Sequence, residues 1–421
     1  MKRIRTLKKL DATVRVPGSK SYTQRALIIA SLAEGKSLLR NTLISDDTNH
    51  FIEALRSLGA DILVTGTDIT VTGMGGVIQN PGKKLFLGNN GTALRFLTSL
   101  ASLCTGEITL DGTERLRQRP LQPLLDALQG LGVICHSTEG NGCPPVVIQG
   151  GGLQGGRAVF TDAHSSQYIS SLLISAPCAR ENVAVELRGS IASLPYIDMT
   201  TGVMRHFGVN VIKGTSNEYI VQAPQRYAGR ESPIESDVSS ASYFFLAAAL
   251  CGGRVRVLNI NPDTPQGDFG LLKIMEQVGC HVLKGPNWVE VTGNTLHTGG
   301  CRFDMAHMPD MVPTLAVLSA FRPGRTVISN VSHLRLKESD RIAALVNELN
   351  RTGIDAEERE DGLVINGGTP HGARIETYDD HRIAMSFAVA GLVVEEMEIK
   401  NEECVGKSFP GFWEELERLY P

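Results

Sequence analysis

One helical phrase recurs along this chain of 421 residues: an amphipathic run, then Gly, then a small or polar residue and a β-rich stretch. It appears as FIEALRSLGADI, LLDALQGLGVI, MRHFGVNVI, LLKIMEQVGCHV and LVNELNRTGIDA, with its glycines at 59, 132, 208, 279 and 353. Successive copies are therefore 73, 76, 71 and 74 residues apart. A sixth copy is suggested by FWEELERLYP, which aligns with FIEALRSLGA and places Tyr420 at the glycine position. Each copy reads as a helix, a Gly C-cap, and short strands such as DILVTGTDITVTG with alternating apolar residues. That "Leu-Gly then a strand" ends many helices is the plainer reading, but it does not account for the even spacing. A period this long is no solenoid, so the expected fold is α/β (α+β) in two similar compact domains of three units each.

The balance of 41 Lys+Arg against 45 Asp+Glu excludes a broad nucleic-acid footprint or a polybasic membrane surface. Any anion must be met by local basic clusters. The eight cysteines form no CxxC pair, which suits buried thiols in a reducing compartment, and a cytoplasmic location is expected. No signal-like apolar stretch follows the basic MKRIRTLKK. The most apolar segment, Tyr243 to Leu250, is too short to span a bilayer and reads as a buried helix.

Four groups of residues carry candidate chemistry. In VPGSKSYTQRALIIASLAEG, Lys20 and Ser21 follow a Pro-Gly turn and precede an apolar helix, and Arg25 lies one turn beyond Ser21. That is an anion site or merely a cap. In LFLGNNGTALRFL, an apolar strand runs through Asn89, Asn90, Gly91 and Thr92 into a helix carrying Arg95; Gly91 permits close approach to backbone amides, and the helix start favours an anion. Downstream, RLRQRP sets three arginines, the last of them Arg119, in five residues; it reads as a solvated loop or a lid, and the sequence favours the solvated loop. Ser165, Ser166 and Gln167 open another apolar helix, with Ser165 in an N-cap position, and Ser193 and Tyr196 sit in SLPYIDMT.

The fourth group holds acid-base candidates: Asp310, Lys337, Glu338, Arg341, Arg382 and Lys407. Placed on one helix, Lys337 and Arg341 would stand at i,i+4 and repel unless an anion lies between. Asp379-Asp380-His381-Arg382 tempts a metal reading, yet no matching His or Cys spacing exists, so hydrogen bonding that aims Arg382 is expected and metal: none. VGKSF fails as a phosphate-binding P-loop because Asn401 occupies the required glycine position. No GxSxG elbow occurs.

From PGSKS at 17–21 to GKSFPGF at 406–412, these phrases resemble the 5-enolpyruvylshikimate-3-phosphate synthase family of enolpyruvyl transferases. The resemblance implies two domains, each of three βαβαββ units, joined by a double-crossing hinge near Val16–Ser19 and Tyr227–Asp237. The domains would be 1–17 plus 230–421, and 18–229. It implies transfer of the enolpyruvyl group of phosphoenolpyruvate to the 5-hydroxyl of shikimate 3-phosphate, with no cofactor, in a monomer whose domains close on substrate. Shikimate 3-phosphate contacts carry over to Lys20, Ser21, Arg25, Ser165, Ser166, Gln167, Ser193, Tyr196, Asp310, His333 and Lys337. The family usually has Asn at the position of His333. Phosphoenolpyruvate contacts carry over to Lys20, Asn89, Gly91, Thr92, Arg95, Arg119, Gln167, Arg341, Arg382 and Lys407. Only this analogy promotes Arg119 out of the solvated loop. Asp310, Glu338 and Lys20 become the catalytic candidates.

The chain departs from the family's loop, which commonly reads NAGTA with Met and then Arg-Pro: Asn90 replaces Ala, Leu94 replaces Met and Phe96 replaces Pro. Gly91 is kept, and because the family's donor pocket also admits glyphosate, sensitivity is expected. Three rivals remain. The sister transferase acting on UDP-N-acetylglucosamine has Lys-Asn in place of Lys20-Ser21 and a loop cysteine in place of Glu114. RNA 3'-phosphate cyclase, built from the same unit, lacks these motifs. A catalytically silent anion-binding protein would not need Lys20, Asp310, Glu338, Arg341 and Lys407 together.

Overall fold

The computed structural model describes residues 1–214 and 217–420. Pro421, the last residue of the sixth phrase, lies outside them. The chain divides into two compact units, Met1–Ser19 with Glu235–Pro421, and Lys20–Ile234. The divisions therefore fall later than the expected 17/18 and 229/230. The strand Glu231–Pro233 explains the second shift, because it runs parallel to Lys36–Arg40 and completes a sheet of the Lys20–Ile234 unit.

Among the described residues, five four-stranded sheets share one topology. A first strand pairs in parallel with a second, and the second pairs antiparallel with the far arm of a hairpin. In one copy, Gly156–Thr161 runs beside Val183–Arg188, which meets Glu218–Val221, itself paired with Val211–Lys213. A helix lies between the first two strands and another before the hairpin, so the unit is βαβαββ. The first copy in each unit borrows its opening strand across a crossing: Asp11–Arg15 pairs with Arg254–Leu258, as Glu231–Pro233 does with Lys36–Arg40. The sixth sheet has three strands, with Lys2–Arg3 in the antiparallel place beside Glu398–Ile399.

The repeat glycines stand where the phrase required them. Gly59, Gly132, Gly208, Gly279 and Gly353 all have φ between 81° and 109°, each one residue after its helix C-cap. A side chain is strained there, so the glycine ends the helix and turns the chain into the hairpin.

Two kinds of helix follow from the hydrophobic pattern. Outer helices such as Arg341–Arg351 bury one face, whereas inner helices such as Val312–Ala320 are buried on every side. The apolar segment at Tyr243 belongs to such an inner helix, Val238–Cys251. Hydroxyls pair between inner helices at equivalent places in the two units: Ser99 with Ser171 at 2.6 Å, and Ser242 with Thr314 at 2.9 Å. These bonds satisfy polar groups in an otherwise apolar core. All eight cysteines are free, and among the described residues no helix is long and apolar enough to cross a membrane.

Candidate active site

In the Lys20–Ile234 unit, the candidate residues sit at the starts of inner helices. Lys20 is the first residue of Lys20–Leu32, and its ammonium lies 3.2 Å from Asp47 Oδ2 in the first turn of Asp46–Ser57. The Asp47 carbonyl accepts the Asn90 side-chain amide at 2.7 Å, while Asn90 Oδ1 caps the helix Gly91–Ala101 by accepting the Ala93 N–H at 2.9 Å. Asn90, a departure from the family loop, thus links the Lys20 partner to the glycine turn. Sequence reasoning missed Asp47. Its signal was SDDT, a Ser N-cap followed by acids in a first turn.

Arg25 is buried, stacked between the rings of Phe96 (5.4 Å) and Tyr196 (5.6 Å). It donates to the Thr200 hydroxyl at 2.7 Å and to the carbonyls of Ser21 (3.0 Å) and Tyr196 (3.4 Å), all neutral oxygens. Burial brings its pKa down to about 10 against the nearby Tyr196 and Tyr22. A guanidinium so desolvated is a receptor for an anion. Phe96, the second departure, forms one wall of its slot.

Arg119 overturns the solvated-loop reading. It is 3% exposed, and its Nη1 donates to the Asn89 carbonyl at 3.3 Å. A Cβ added to Gly91 would stand 2.5 Å from Arg119 Cζ. The loop can fold inward because Arg117 is neutralised: its Nε and Nη2 donate to the two oxygens of the buried Asp111, at 2.8 and 2.7 Å. Burial would raise the Asp111 pKa, but hydrogen bonds from Arg117 and Lys84 bring it down to about 2. The sequence showed three adjacent charges and hid their partner.

Gln167 joins the second and third copies. Its Oε1 accepts from Arg95 Nη1 at 2.7 Å, and its Nε2 donates to Thr92 Oγ1 at 3.0 Å. Ser165 is the expected N-cap, accepting the Gln167 N–H at 3.3 Å, and Ser166 is buried at the first position of that helix. Ser193, at φ 59°, turns the chain so that its carbonyl accepts the Tyr196 N–H at 3.1 Å.

In the other unit Asp310 and Glu338 converge on Arg341, but not along one helix. Asp340 caps Arg341–Arg351 by accepting the Ala343 N–H at 3.0 Å, so Lys337 and Glu338 precede the helix and Lys337 is extended. The expected i,i+4 cation pair is absent. Instead, buried Arg341 donates to Glu338 Oε2 (2.6 Å), Asp310 Oδ1 (3.0 Å) and Asp380 Oδ2 (2.7 Å). Arg382 Nη2 donates to the other Asp310 oxygen at 2.7 Å, and its Nη1 to the Tyr243 hydroxyl at 3.4 Å.

Asp380 aims both arginines by different means: its carboxylate holds the Arg341 side chain and accepts the Arg382 backbone N–H at 3.0 Å. The residues before it, Tyr378 and Asp379, have φ of 54° and 56°, a strained turn that swings Asp380 inward. Burial favours a protonated Asp310, yet Arg382, Arg341 and Lys337 hold its carboxyl far below the usual range. His333 is buried in the turn Ser332–Leu336, and Lys407 is buried at the end of Glu402–Lys407.

Comparison with known proteins shows the family. Residues 4–416 match the EPSP synthase (3-phosphoshikimate 1-carboxyvinyltransferase) family. The chain is 44% identical to a 3-phosphoshikimate 1-carboxyvinyltransferase of Syntrophobacter fumaroxidans, over 99% of both chains. It is 43% identical to one of Methanosphaerula palustris, over 97% of this chain and 96% of the relative. The solved EPSP synthase of Acinetobacter baumannii superposes with a TM-score of 0.81 at 28% identity, covering 99% of this chain and 98% of that one. With its repeats and these relatives, the chain belongs to the EPSP synthase (3-phosphoshikimate 1-carboxyvinyltransferase) family.

Proposed function

We propose that this chain transfers the 1-carboxyvinyl group of phosphoenolpyruvate to the 5-hydroxyl of shikimate 3-phosphate and releases phosphate, a reading supported by its relatives' name, 3-phosphoshikimate 1-carboxyvinyltransferase. The observation that carries the reading is the pairing of Arg341 and Arg382 on Asp310, with Glu338 on the same Arg341 guanidinium.

Arg25, with Ser21, Ser165, Ser166, Ser193, Tyr196, His333 and Lys337, takes the acceptor anion. Arg119, Arg341, Arg382 and Lys407 take the donor, with Gly91 leaving room beside Arg119 and with Gln167, Thr92 and Arg95 fixing its wall. Clustered cations offset the repulsion of two phosphorylated anions. The 5-hydroxyl attacks C2 of phosphoenolpyruvate while C3 gains a proton, giving a tetrahedral ketal phosphate. Loss of that C3 proton and of phosphate restores the double bond.

Asp310 accepts the hydroxyl proton, and Glu338 donates to C3 with Lys20 assisting. Clamped by two guanidinia, Asp310 is a poor base. A substrate carboxylate that competes for Arg341 and Arg382 releases it, and its proton affinity rises when the acceptor hydroxyl needs it. Substrate binding therefore switches the base on. We place the enzyme in the cytoplasm, a reading supported by its free thiols, and read it as a monomer.

Purified protein is incubated with phosphoenolpyruvate and either shikimate 3-phosphate or UDP-N-acetylglucosamine, without added metal or nucleotide, and phosphate is followed. Release with the shikimate ester alone is expected. Release only with the nucleotide sugar, or with neither in a folded sample, sinks the reading.

A further inference from the structure

The helix Arg341–Arg351 carries a buried acid that the transfer chemistry leaves unused. Glu348 has no exposed surface, and a carboxylate so placed is costly unless hydrogen bonds and a counter-charge meet it. The Tyr378 hydroxyl donates to its Oε1 at 2.8 Å and the Glu376 backbone N–H to its Oε2 at 3.0 Å, while Arg351 Nε stands 3.0 Å from the same Oε2. Nothing in the sequence singled it out.

Glu376 and Tyr378 open the turn that ends at Asp380, in which Tyr378 and Asp379 have φ of 54° and 56°. No glycine relieves that backbone, so contacts outside the turn must hold it. At its far end, Asp380 Oδ2 accepts from Arg341 Nε at 2.7 Å and from the Ser339 hydroxyl at 3.0 Å. In the middle, Asn401 donates to Asp379 Oδ1 at 3.1 Å, and Lys400 pairs with the Glu376 side chain. At the near end Glu348 takes both a backbone and a side-chain donor. Arg341 and Glu348 are seven residues apart on one helix, so they share a face and stand roughly 10 Å apart along its axis. One helix thus grips both ends of the strained turn.

We propose that Glu348 is a positioning residue for the donor half-site: by holding Glu376 and Tyr378 it keeps the turn in the conformation that delivers Asp380 to Arg341 and to the Arg382 backbone. The proposal rests on the transfer reading above. Glu348 touches neither arginine guanidinium of that half-site; it acts through the turn. When the near end of the turn is freed, the left-handed residues relax, Asp380 withdraws, and both arginines lose the aim on which the donor carboxylate depends.

The test compares full-length wild type with Tyr378→Phe, which removes one bond to Glu348 from a side chain that is itself 40% exposed. Arg351→Met is the control: it removes the solvent-side partner of Glu348 and leaves both contacts to the turn. In Tyr378→Phe the KM for phosphoenolpyruvate is expected to rise roughly tenfold, the scale of one hydrogen bond to a charged group, with the KM for shikimate 3-phosphate within about twofold. Arg351→Met is expected to leave both within about twofold of wild type. Glu348→Gln keeps the size of the side chain but offers one acceptor oxygen; it should raise the donor KM at least as far, and adding Tyr378→Phe to it should change little further. An unchanged donor KM in Tyr378→Phe, an equal rise in Arg351→Met, or donor and acceptor KM rising together overturns the proposal.

Amide hydrogen exchange tests the linkage without substrate, so that failure of the transfer reading stays distinguishable. The Arg382 backbone N–H is held by Asp380 Oδ1 at 3.0 Å and has no contact with Tyr378. It should exchange roughly tenfold faster in Tyr378→Phe than in Arg351→Met, because only the former frees the turn. A faster-exchanging Arg382 amide supports the anchor even in a sample that turns over neither acceptor. Equal exchange in the two variants overturns it.

Discussion

Replacing Gly91 by Ala should cost donor binding and nothing in folding. The new Cβ would lie 2.5 Å from Arg119 Cζ, 2.6 Å from Nη2 and 2.8 Å from Nη1. Ordinary contact between heavy atoms is near 3.5 Å, so the guanidinium must retreat by about 1 Å. Gly91 is the first residue of its helix and has no positive φ, so alanine fits the backbone and gains up to about 1 kcal/mol of helix propensity. What gives way is the Arg119 guanidinium, whose bond to the Asn89 carbonyl is already long at 3.3 Å. A hydrogen bond to a charged group is worth about 1.5–3 kcal/mol, which corresponds to roughly a 10- to 150-fold rise in the KM for phosphoenolpyruvate.

Glyphosate, which the family's donor pocket admits, should lose affinity in step. The assay is steady-state phosphate release with the donor varied at saturating shikimate 3-phosphate, together with a thermal melt. In an Arg119→Ala background, Gly91→Ala should have little further effect, because the group it displaces is gone. A donor KM within twofold of wild type, or full additivity of the two changes, would refute the steric argument.

Two further predictions concern the buried arginines. Arg25→Met removes a desolvated charge whose burial cost, shown by the pKa fall from 12.5 to about 10, offsets a large part of what its three hydrogen bonds return. Its melting temperature should stay within a few degrees of wild type while shikimate 3-phosphate affinity, read by calorimetry, falls roughly a hundredfold or more. A melting temperature that collapses would show Arg25 to be structural. Asp380→Ala should destabilise by about 3 kcal/mol or more in urea unfolding, because it strips one carboxylate from a buried arginine and a cap from its helix. A loss below about 1 kcal/mol would mean that Glu338 and Asp310 suffice for Arg341.

How much of this could be read from the sequence depended on whether the signal was local. The repeat was legible because its parts are neighbours in the chain: an apolar helix face, a glycine forced to positive φ, and a hairpin of alternating residues, as at Gly59 and Asp61–Thr72. Ser165 was legible as a cap for the same reason. Lys337 and Arg341 were misread as one helical face because the Asp340 cap was overlooked, although it too is a local signal.

Hydrogen bonding that aims Arg382 was legible beside it in Asp379-Asp380-His381, but most charge partners were not. Arg117 looked unneutralised because Asp111 meets it only when the loop folds back from its strand, and that pairing frees Arg119 to turn inward. Asp47 reaches Lys20, and Asp380 reaches Arg341, across gaps of 27 and 39 residues. The sequence by itself thus determined the units, their number and the residue types available for anion chemistry, since helix periods and glycine turns are set within a few residues. Only the tertiary structure decided which carboxylate holds which cation, and so which charges are left for substrate. Electrostatic pairing depends on distance and burial, and the strand order of each sheet fixes both.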